Sequence, residues 1–304
     1  MFSAIVSSSN PRVKHAVQLK ESRARRREGL FLIDGIREVE RAWQSGLEFV
    51  EVFWNAGKDV KTDSKVDVDA VLKNVCVDSD RRAKLKNILT LADSMRVPTI
   101  PLASNAFAKI VFGERNEGVV AVVKSKLTSL DELDLLLRRK FQNTGEAPLI
   151  GVVEGVEKPG NVGAILRSAD GAGLDAIMIA AEDFDVYNPN AIRGSLGAVF
   201  HVPVVVAPAQ TLLAWMRERK IQRATTLCDE AIPYEQLDYR LPTAIILGSE
   251  AEGLTKEWSV ASQVDIDNNL LRKVRLPMLG LADSLNVSNA AAILFYEARR
   301  VRSF

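Results

Sequence analysis

"DSLNVSNAAAILFYEARR", Asp283 to Arg300, lies near the end of a 304-residue chain. Its second half predicts an ordinary amphipathic helix. Ala290, Ala291, Ile293, Leu294 and Phe295 are good buriers, and Glu297, Arg299 and Arg300 suit an exposed last turn. The first half is different. Asp283, Ser284, Asn286, Ser288 and Asn289 set polar groups around Leu285 and Val287. A Ser or Asp helix cap accounts for one of them, but not for Ser284 and Asn286 together.

Working back from this stretch, the chain from Pro148 onward has a regular rhythm. "LIGVVEGV", "DAIMIAA", "VPVVVAP", "ATTLCD" and "TAIILG" predict strands, with helical patterns near Val162–Gly171, Asn190–Val199 and Leu212–Lys220. Several of the strands are nearly all apolar, as strands buried on both faces must be. Strands alternating with helices predict an α/β fold with a mostly parallel sheet covered on both sides. Ligands of such sheets sit beyond the carboxyl ends of the strands, so the loops there are where chemistry is to be sought.

Two of those loops stand out beside the C-terminal one. In "EKPGNVGAILRSADGAG" (Glu157–Gly173), Asn161 sits where a helix should begin and Arg167 follows within it. The plain alternative is an N-cap and a surface Arg. Gly160 and Gly163 do not make a dinucleotide fingerprint. In "ILGSEAEGL" (Ile246–Leu254), an apolar strand runs into Gly248, Ser249 and Glu250. Gly248 would let a ligand approach the backbone, and the plain alternative is a capped strand–turn–helix junction.

The N-terminal half mixes "EGLFLID" (Glu28–Asp34) and "FVEVFWN" (Phe49–Asn55) strands, helices over Gly35–Gly46 and Asp80–Met95, and a last strand "GVVAVVK" (Gly118–Lys124). It shows no catalytic constellation. Between Asn10 and Arg27 stand seven basic residues, Arg12, Lys14, Lys20, Arg23, Arg25, Arg26 and Arg27, against one acid, Glu21. Such a run is usually a solvated helix face and gains meaning only beside a second sign of nucleic-acid chemistry.

Composition narrows the rest. The chain is 47% hydrophobic and 26% charged, ordinary for a globular protein, and long enough for two domains. Its net charge of +1 makes no global case for nucleic acid. Cys76 and Cys228 form no spaced motif and read as reduced thiols. With His15 and His201 the only histidines, a histidine-rich metal site is excluded, and no metal is expected. No apolar run approaches the ~18 residues of a membrane span, and "MFSAIVSSSNPRVK" does not read as a signal peptide, so a cytoplasmic location is expected.

Together, "NVGAILRSADGAG", "LGSEAEGL" and "LPMLGLADSLNVSNAAAILFYE" resemble the three ordered motifs of the SpoU/TrmH branch of the SPOUT RNA methyltransferases. The resemblance covers about half the chain, from Leu149 on. More weakly, "SSSNPRVKHAVQLKESRARRREGLFLIDGIREVERA" resembles the opening of this branch's small substrate-binding domain, which has the fold of ribosomal protein L30e. The basic cluster and the methyltransferase motifs thus agree. The resemblance implies an RNA-binding domain over 1–126, a linker over 127–147 and a methyltransferase domain over 148–304. In the last, the C-terminal segment tucks through a loop into a deep trefoil knot, a rare exception to unknotted topology.

It also implies transfer of a methyl group from S-adenosylmethionine to a ribose 2′-hydroxyl of RNA, in a homodimer formed through the C-terminal domain. Backbone groups around Gly248, Leu276 and Leu285 would hold the cofactor, with Leu247 and Met278 as apolar surface against the adenine. Ser284 and Asn286 would hydrogen-bond near the reacting centre. Asn161 would orient Arg167 or the ribose, and Glu250 would fix its loop. Arg167 would grip the adjacent phosphate and stabilise the developing alkoxide, because a guanidinium of pKa above ~12 is a poor general base. Arg12, Lys14, Arg23, Arg25, Arg26 and Arg27 would bind RNA. A separate N-terminal domain favours ribosomal over transfer RNA. Two details depart from the pattern: Asn289 replaces a small or branched apolar residue, and Val264–Met278 is longer than usual. The rival readings are a non-catalytic RNA-binding protein that keeps the knotted scaffold, and an unrelated nucleotide-binding enzyme such as a dehydrogenase.

Overall fold

The computed structural model describes residues 3–58, 60, 67–75, 78–113, 117–226, 231–249 and 253–302. The chain divides into two compact units, 1–126 with 187–200, and 127–186 with 201–304. Cys76, Cys228 and Glu250 lie outside the described residues.

In the first unit, Asn10 caps α1 (Pro11–Gln18) by accepting from Arg12 N, and Pro11 opens the helix where a backbone donor is not needed. Helix α2 (Ser22–Glu28) runs through Glu28 and ends on Gly29 at φ +62°. Strand β1 (Leu30–Asp34) therefore starts two residues later than the sequence pattern suggests. Then come α3 (Ile36–Gln44), β2 (Phe49–Asn55), α4 (Val68–Val75), α5 (Ser79–Ser94), β3 (Thr99–Leu102), α6 (Ser104–Ile110) and β4 (Val119–Lys124). The sheet order is β1-β4-β2-β3, with β4 antiparallel to both neighbours and β2 parallel to β3. Leu32, Phe53, Ile100, Phe107, Val120 and Val122 meet Val13 and Ala16 of α1 in its core.

Residues 187–200 group with this unit. Tyr187 stacks on Phe31 with ring centroids 4.0 Å apart. Arg193 donates to Phe112 O and stands 3.4 Å from Asp34 Oδ2, supplying a cation to a buried carboxylate.

The second unit begins with α7 (Leu130–Thr144), capped by a reciprocal Ser129–Glu132 box. The helix and linker expected over Ser125–Pro148 thus contain a helix at Leu130–Thr144 that packs into the core. Leu133 and Leu137 pack with Ile150, Met178, Leu212 and Ile246. There follow β5 (Leu149–Glu154), α8 (Pro159–Ala172), β6 (Ala176–Ala180), the first-unit helix α9 (Pro189–Gly194), β7 (Val204–Ala207), α10 (Ala209–Glu218), β8 (Gln222–Thr226), β9 (Ile232–Pro233), β10 (Thr243–Leu247), α11 (Gln263–Asp267), β11 (Leu271–Arg275) and α12 (Val287–Val301).

The sheet has seven strands in the order β7-β6-β5-β10-β8-β11-β9, every described pairing parallel. All of β5 and β10 is buried, which is why their sequences are continuous apolar runs. Helix α12 returns from the β11 side to pack on α8, with Val287, Ala291, Leu294, Phe295 and Ala298 buried. Phe295 fits because β5 carries Gly151: a Cβ there would stand 2.8 Å from the ring. Arg299 Nε donates to Ala172 O at 2.7 Å, tying α12 to the C-terminus of α8.

Candidate functional site

The carboxyl ends of β8, β10 and β11 open into a cleft of about 780 Å³, counting the part open to solvent. Its walls include Leu247, Gly248 and Ser249 after β10, and Val274, Arg275, Leu276 and Met278 along and after β11. Asp283, Ser284, Leu285, Val287 and Ala290 close it. The five residues expected to hold a cofactor, Leu247, Gly248, Leu276, Met278 and Leu285, come together here with Ser284.

The polar stretch Asp283–Asn286 precedes α12 rather than forming its first turn. Asn286 is the N-cap, its Oδ1 accepting from Ser288 N at 3.0 Å and Ser288 Oγ at 2.5 Å. Its Nδ2 reaches Asn161 Oδ1 at 3.4 Å, joining the first and third motifs across 125 residues. The alternative reading of Asn161 as an N-cap does not hold: Lys158 occupies the N-cap position of α8 without a side-chain hydrogen bond, Pro159 takes the first helical position, and Asn161 lies inside the first turn. Asn289 is exposed, so the departure there costs the core nothing.

Gly248 lines the cleft and also makes room for a second backbone. A Cβ on it would stand 2.3 Å from Gly253 C and 2.4 Å from Gly253 O. The close approach is by the chain's own backbone. Ser249 and Gly253 exchange both backbone hydrogen bonds at 3.1 Å, and Gly253 has φ +68°. The far side of this loop is pinned by Glu154 at the end of β5, whose carboxylate accepts from Thr255 N at 2.8 Å and Thr255 Oγ1 at 3.0 Å. Glu154 and Thr226, which lines the cleft from β8, were not singled out from sequence. Each lies at a strand end, the one signal that pointed to them.

Arg167 is exposed on α8 and is not among the residues lining the cleft. The basic N-terminal run does not form one face. Arg25 is 5% exposed and donates to Leu19 O at 2.9 Å and Lys20 O at 2.5 Å, so its expected RNA contact is corrected to a structural one. Arg12 pairs with Glu51 at 3.0 Å and Arg27 with Glu28 at 2.6 Å, both with much of their side chains in solvent. Lys14, Arg23 and Arg26 keep side chains in contact with solvent. Among the described residues, no group of three His, Cys, Asp or Glu is placed to hold a metal ion, and no helix is long and apolar enough to cross a membrane.

Residues 148–296 match the SpoU rRNA methylase family, and residues 10–121 match the MRM3-like substrate binding domain. Over 240 residues the chain is 32% identical to the 23S rRNA (guanosine-2'-O-)-methyltransferase RlmB of Bordetella pertussis, covering 76% of this chain and 90% of that protein. The chain belongs to the SpoU/TrmH family. Solved SpoU/TrmH-type structures agree along its whole length. A crystal structure of an RNA 2'-O ribose methyltransferase is 31% identical with a TM-score of 0.70, covering 98% of this chain and 99% of that one. The SpoU methyltransferase AviRb of Streptomyces viridochromogenes, in complex with the cofactor AdoMet, is 26% identical with a TM-score of 0.73, covering 96% and 99%.

The cleft fits such a cofactor. Leu247, Val274, Leu276, Met278, Leu285 and Ala290 offer apolar surface for a purine, and Thr226, Ser249, Asp283 and Ser284 offer polar groups for a ribose and an amino acid.

Proposed function

We propose that this chain methylates a ribose 2′-hydroxyl of RNA, ribosomal RNA in preference to transfer RNA, using S-adenosylmethionine. The observation that carries the reading is the convergence of the second and third motifs on one cleft, with Asn286 linking it to Asn161 of the first. The cofactor supplies an electrophilic methyl on a sulfonium centre. The chain's own residues supply the rest.

Leu247, Leu276 and Met278 would hold the adenine, with the paired backbone of Ser249 and Gly253 beside it. Ser284 and Asn286 orient the acceptor ribose, with Asn286 braced by Ser288 and Asn161. Lining up the hydroxyl with the breaking bond is worth up to ~7–11 kcal/mol. Arg167 binds the neighbouring phosphate and stabilises negative charge on the ribose oxygen as its proton leaves to phosphate or water.

Arg167 lies outside the cleft lining of its own chain, which supports a site completed across a homodimer. Ile293 and Tyr296 on α12, and Leu279 and Leu281 in the third-motif loop, are exposed apolar groups suited to that interface. The threaded C-terminus of the family is proposed here too, because α12 returns from β11 past β8 and β10 to reach α8. Arg12, Lys14, Arg23, Arg26 and Arg27 bind RNA through phosphates. The proposed location is the cytoplasm.

The test is methyl transfer from labelled S-adenosylmethionine to ribosomal RNA, with the modified nucleotide located by 2′-O-methyl mapping. Transfer to the ribose is expected. Cofactor-independent RNA binding without transfer would favour the non-catalytic scaffold.

A further inference from the structure

Strand β11 leads straight into the cleft. Val274, Arg275 and Leu276 at its end and Met278 beyond it line the cleft wall, and Val274 alone of the strand is buried there. The register of β11 therefore decides which side chains face the cofactor. Yet its sequence, LRKVR, specifies register poorly: of its residues only Val274 is buried. A slip of one position would bring Lys273 or Arg275 to the place of Val274. On its outer side, among the described residues, β11 pairs with the two-residue β9.

The longer approach to the third motif supplies what the pattern lacks. Asp265 on α11 is 1% exposed. Its Oδ2 accepts from Ser262 N and Ser262 Oγ, both at 2.8 Å, and from Arg217 Nε at 3.0 Å. Arg223 Nη2 stands 2.8 Å from the same oxygen. Arg223 belongs to β8, the strand beside β11, and is wholly buried. Its backbone N donates to Leu270 O at 2.6 Å, and it is the register partner of Leu271. One residue thus holds Asp265 by its side chain and the start of β11 by its backbone.

This arrangement is costly. Desolvating each buried charge costs several kcal/mol, and among the described residues Arg223 Nε, Nη1 and Nη2 and Asp265 Oδ1 make no hydrogen bond, so Arg223 meets Asp265 as an ion pair alone. An apolar pair would fill the space with less penalty but would not select one register. We propose that Asp265, clasped by Arg217 and Arg223, is a positioning residue that sets the register of β11 on β8 and so presents Val274, Leu276 and Met278 to the cofactor.

The inference rests on the cleft being the S-adenosylmethionine site. The experiment compares wild type, Asp265→Asn, Arg217→Gln and the double variant Arg223→Met with Asp265→Leu. Calorimetric titration with S-adenosylmethionine is combined with hydrogen exchange of the 271–275 amides in the cofactor-free protein.

Asp265→Asn should lose amide protection and cofactor affinity by ~10-fold, and Arg217→Gln should lose affinity by ~3-fold, with KM rising and kcat at saturation held. The double variant should recover the melting temperature, because an apolar pair replaces the ions, and still bind the cofactor ~10-fold more weakly. A purely structural role predicts the opposite, affinity returning with stability. Wild-type affinity and protection in any folded Asp265 variant overturns the proposal. Arg217→Gln, altering a partly exposed side chain, decides in the same way if the others do not fold. Failure of the wild type to bind removes the cofactor reading itself, and the proposal with it.

Discussion

The two units put the same two kinds of element to different use. In the second, every described strand pairing is parallel, so the carboxyl ends lie on one edge and the loops of the second and third motifs meet there. In the first, β4 runs against both its neighbours, so the strand-end loops are shared between two edges. The recess formed there by Asp34, Gly35, Glu38, Glu117 and Arg193 is about 230 Å³, against about 780 Å³ for the cleft of the second unit. A parallel sheet concentrates side chains on a bound molecule, whereas a mixed sheet with helices around it offers surface. This contrast supports the proposal that chemistry belongs to the second unit and RNA capture to the first.

The largest effect expected of that division is at Arg167. Arg167→Ala should reduce single-turnover methyl transfer by ~10²–10³-fold while calorimetry shows cofactor affinity nearly intact, because its grip strengthens as charge develops. Arg167→Lys should rescue poorly, since a point charge cannot copy a two-pronged hold on phosphate. Near wild-type transfer at saturating RNA would reduce Arg167 to a surface residue of α8.

Next is the anchor of the third motif. Phe295→Ala empties the space opposite Gly151 and should cost ~3–5 kcal/mol in urea unfolding. A loss below ~1 kcal/mol would mean that α12 does not hold the second unit together as its burial implies.

The first unit carries its own sharp signature. Burial pushes the Asp34 carboxyl up to about 6, against the opposing hydrogen bond from Phe112 N and the nearby Arg193. With the folded pKa above the unfolded one, the contribution to stability is complete below the ordinary carboxylate pKa and is lost as pH rises through about 6. Asp34→Asn lacks this titration. Relative to wild type, the variant should therefore gain on the order of 3 kcal/mol between pH 4 and pH 8, read by urea denaturation at each pH. A constant difference would show that Asp34 stays ionised beside Arg193.

The smallest effects separate neighbours in the basic run. Arg25→Ala should cost ~1–2 kcal/mol of stability by stripping two carbonyls of their donor. Changing Lys14, Arg23 and Arg26 to Gln should leave melting unchanged and flatten the salt dependence of RNA binding, by up to ~0.9 in slope for each phosphate left without its cation. If Arg25 changes the salt slope and not the stability, the assignment is reversed.

The sheet of the second unit was legible because β5 and β10 are buried on both faces, and burial on both faces leaves continuous apolar runs. Strand β11 was not legible because LRKVR has one buried side chain, nor were β3 and β9, which are very short. The members of the cleft were legible through motifs at strand ends. Arg25 was misread because nothing in a run of arginines says which one turns inward.

Residue type and local spacing determined what each segment prefers: an apolar run to be buried, a polar residue to cap the last helix, Gly248 to turn. Only the tertiary structure decided which segments meet. It set Asn286 against Asn161, gave residues 187–200 to the first unit, and closed Gly248 against the chain's own Gly253. The reason is physical. Local preferences are satisfied by neighbours a turn away, whereas a buried charge such as Asp265 also needs Arg217 and Arg223, which only closure of the whole sheet brings within reach.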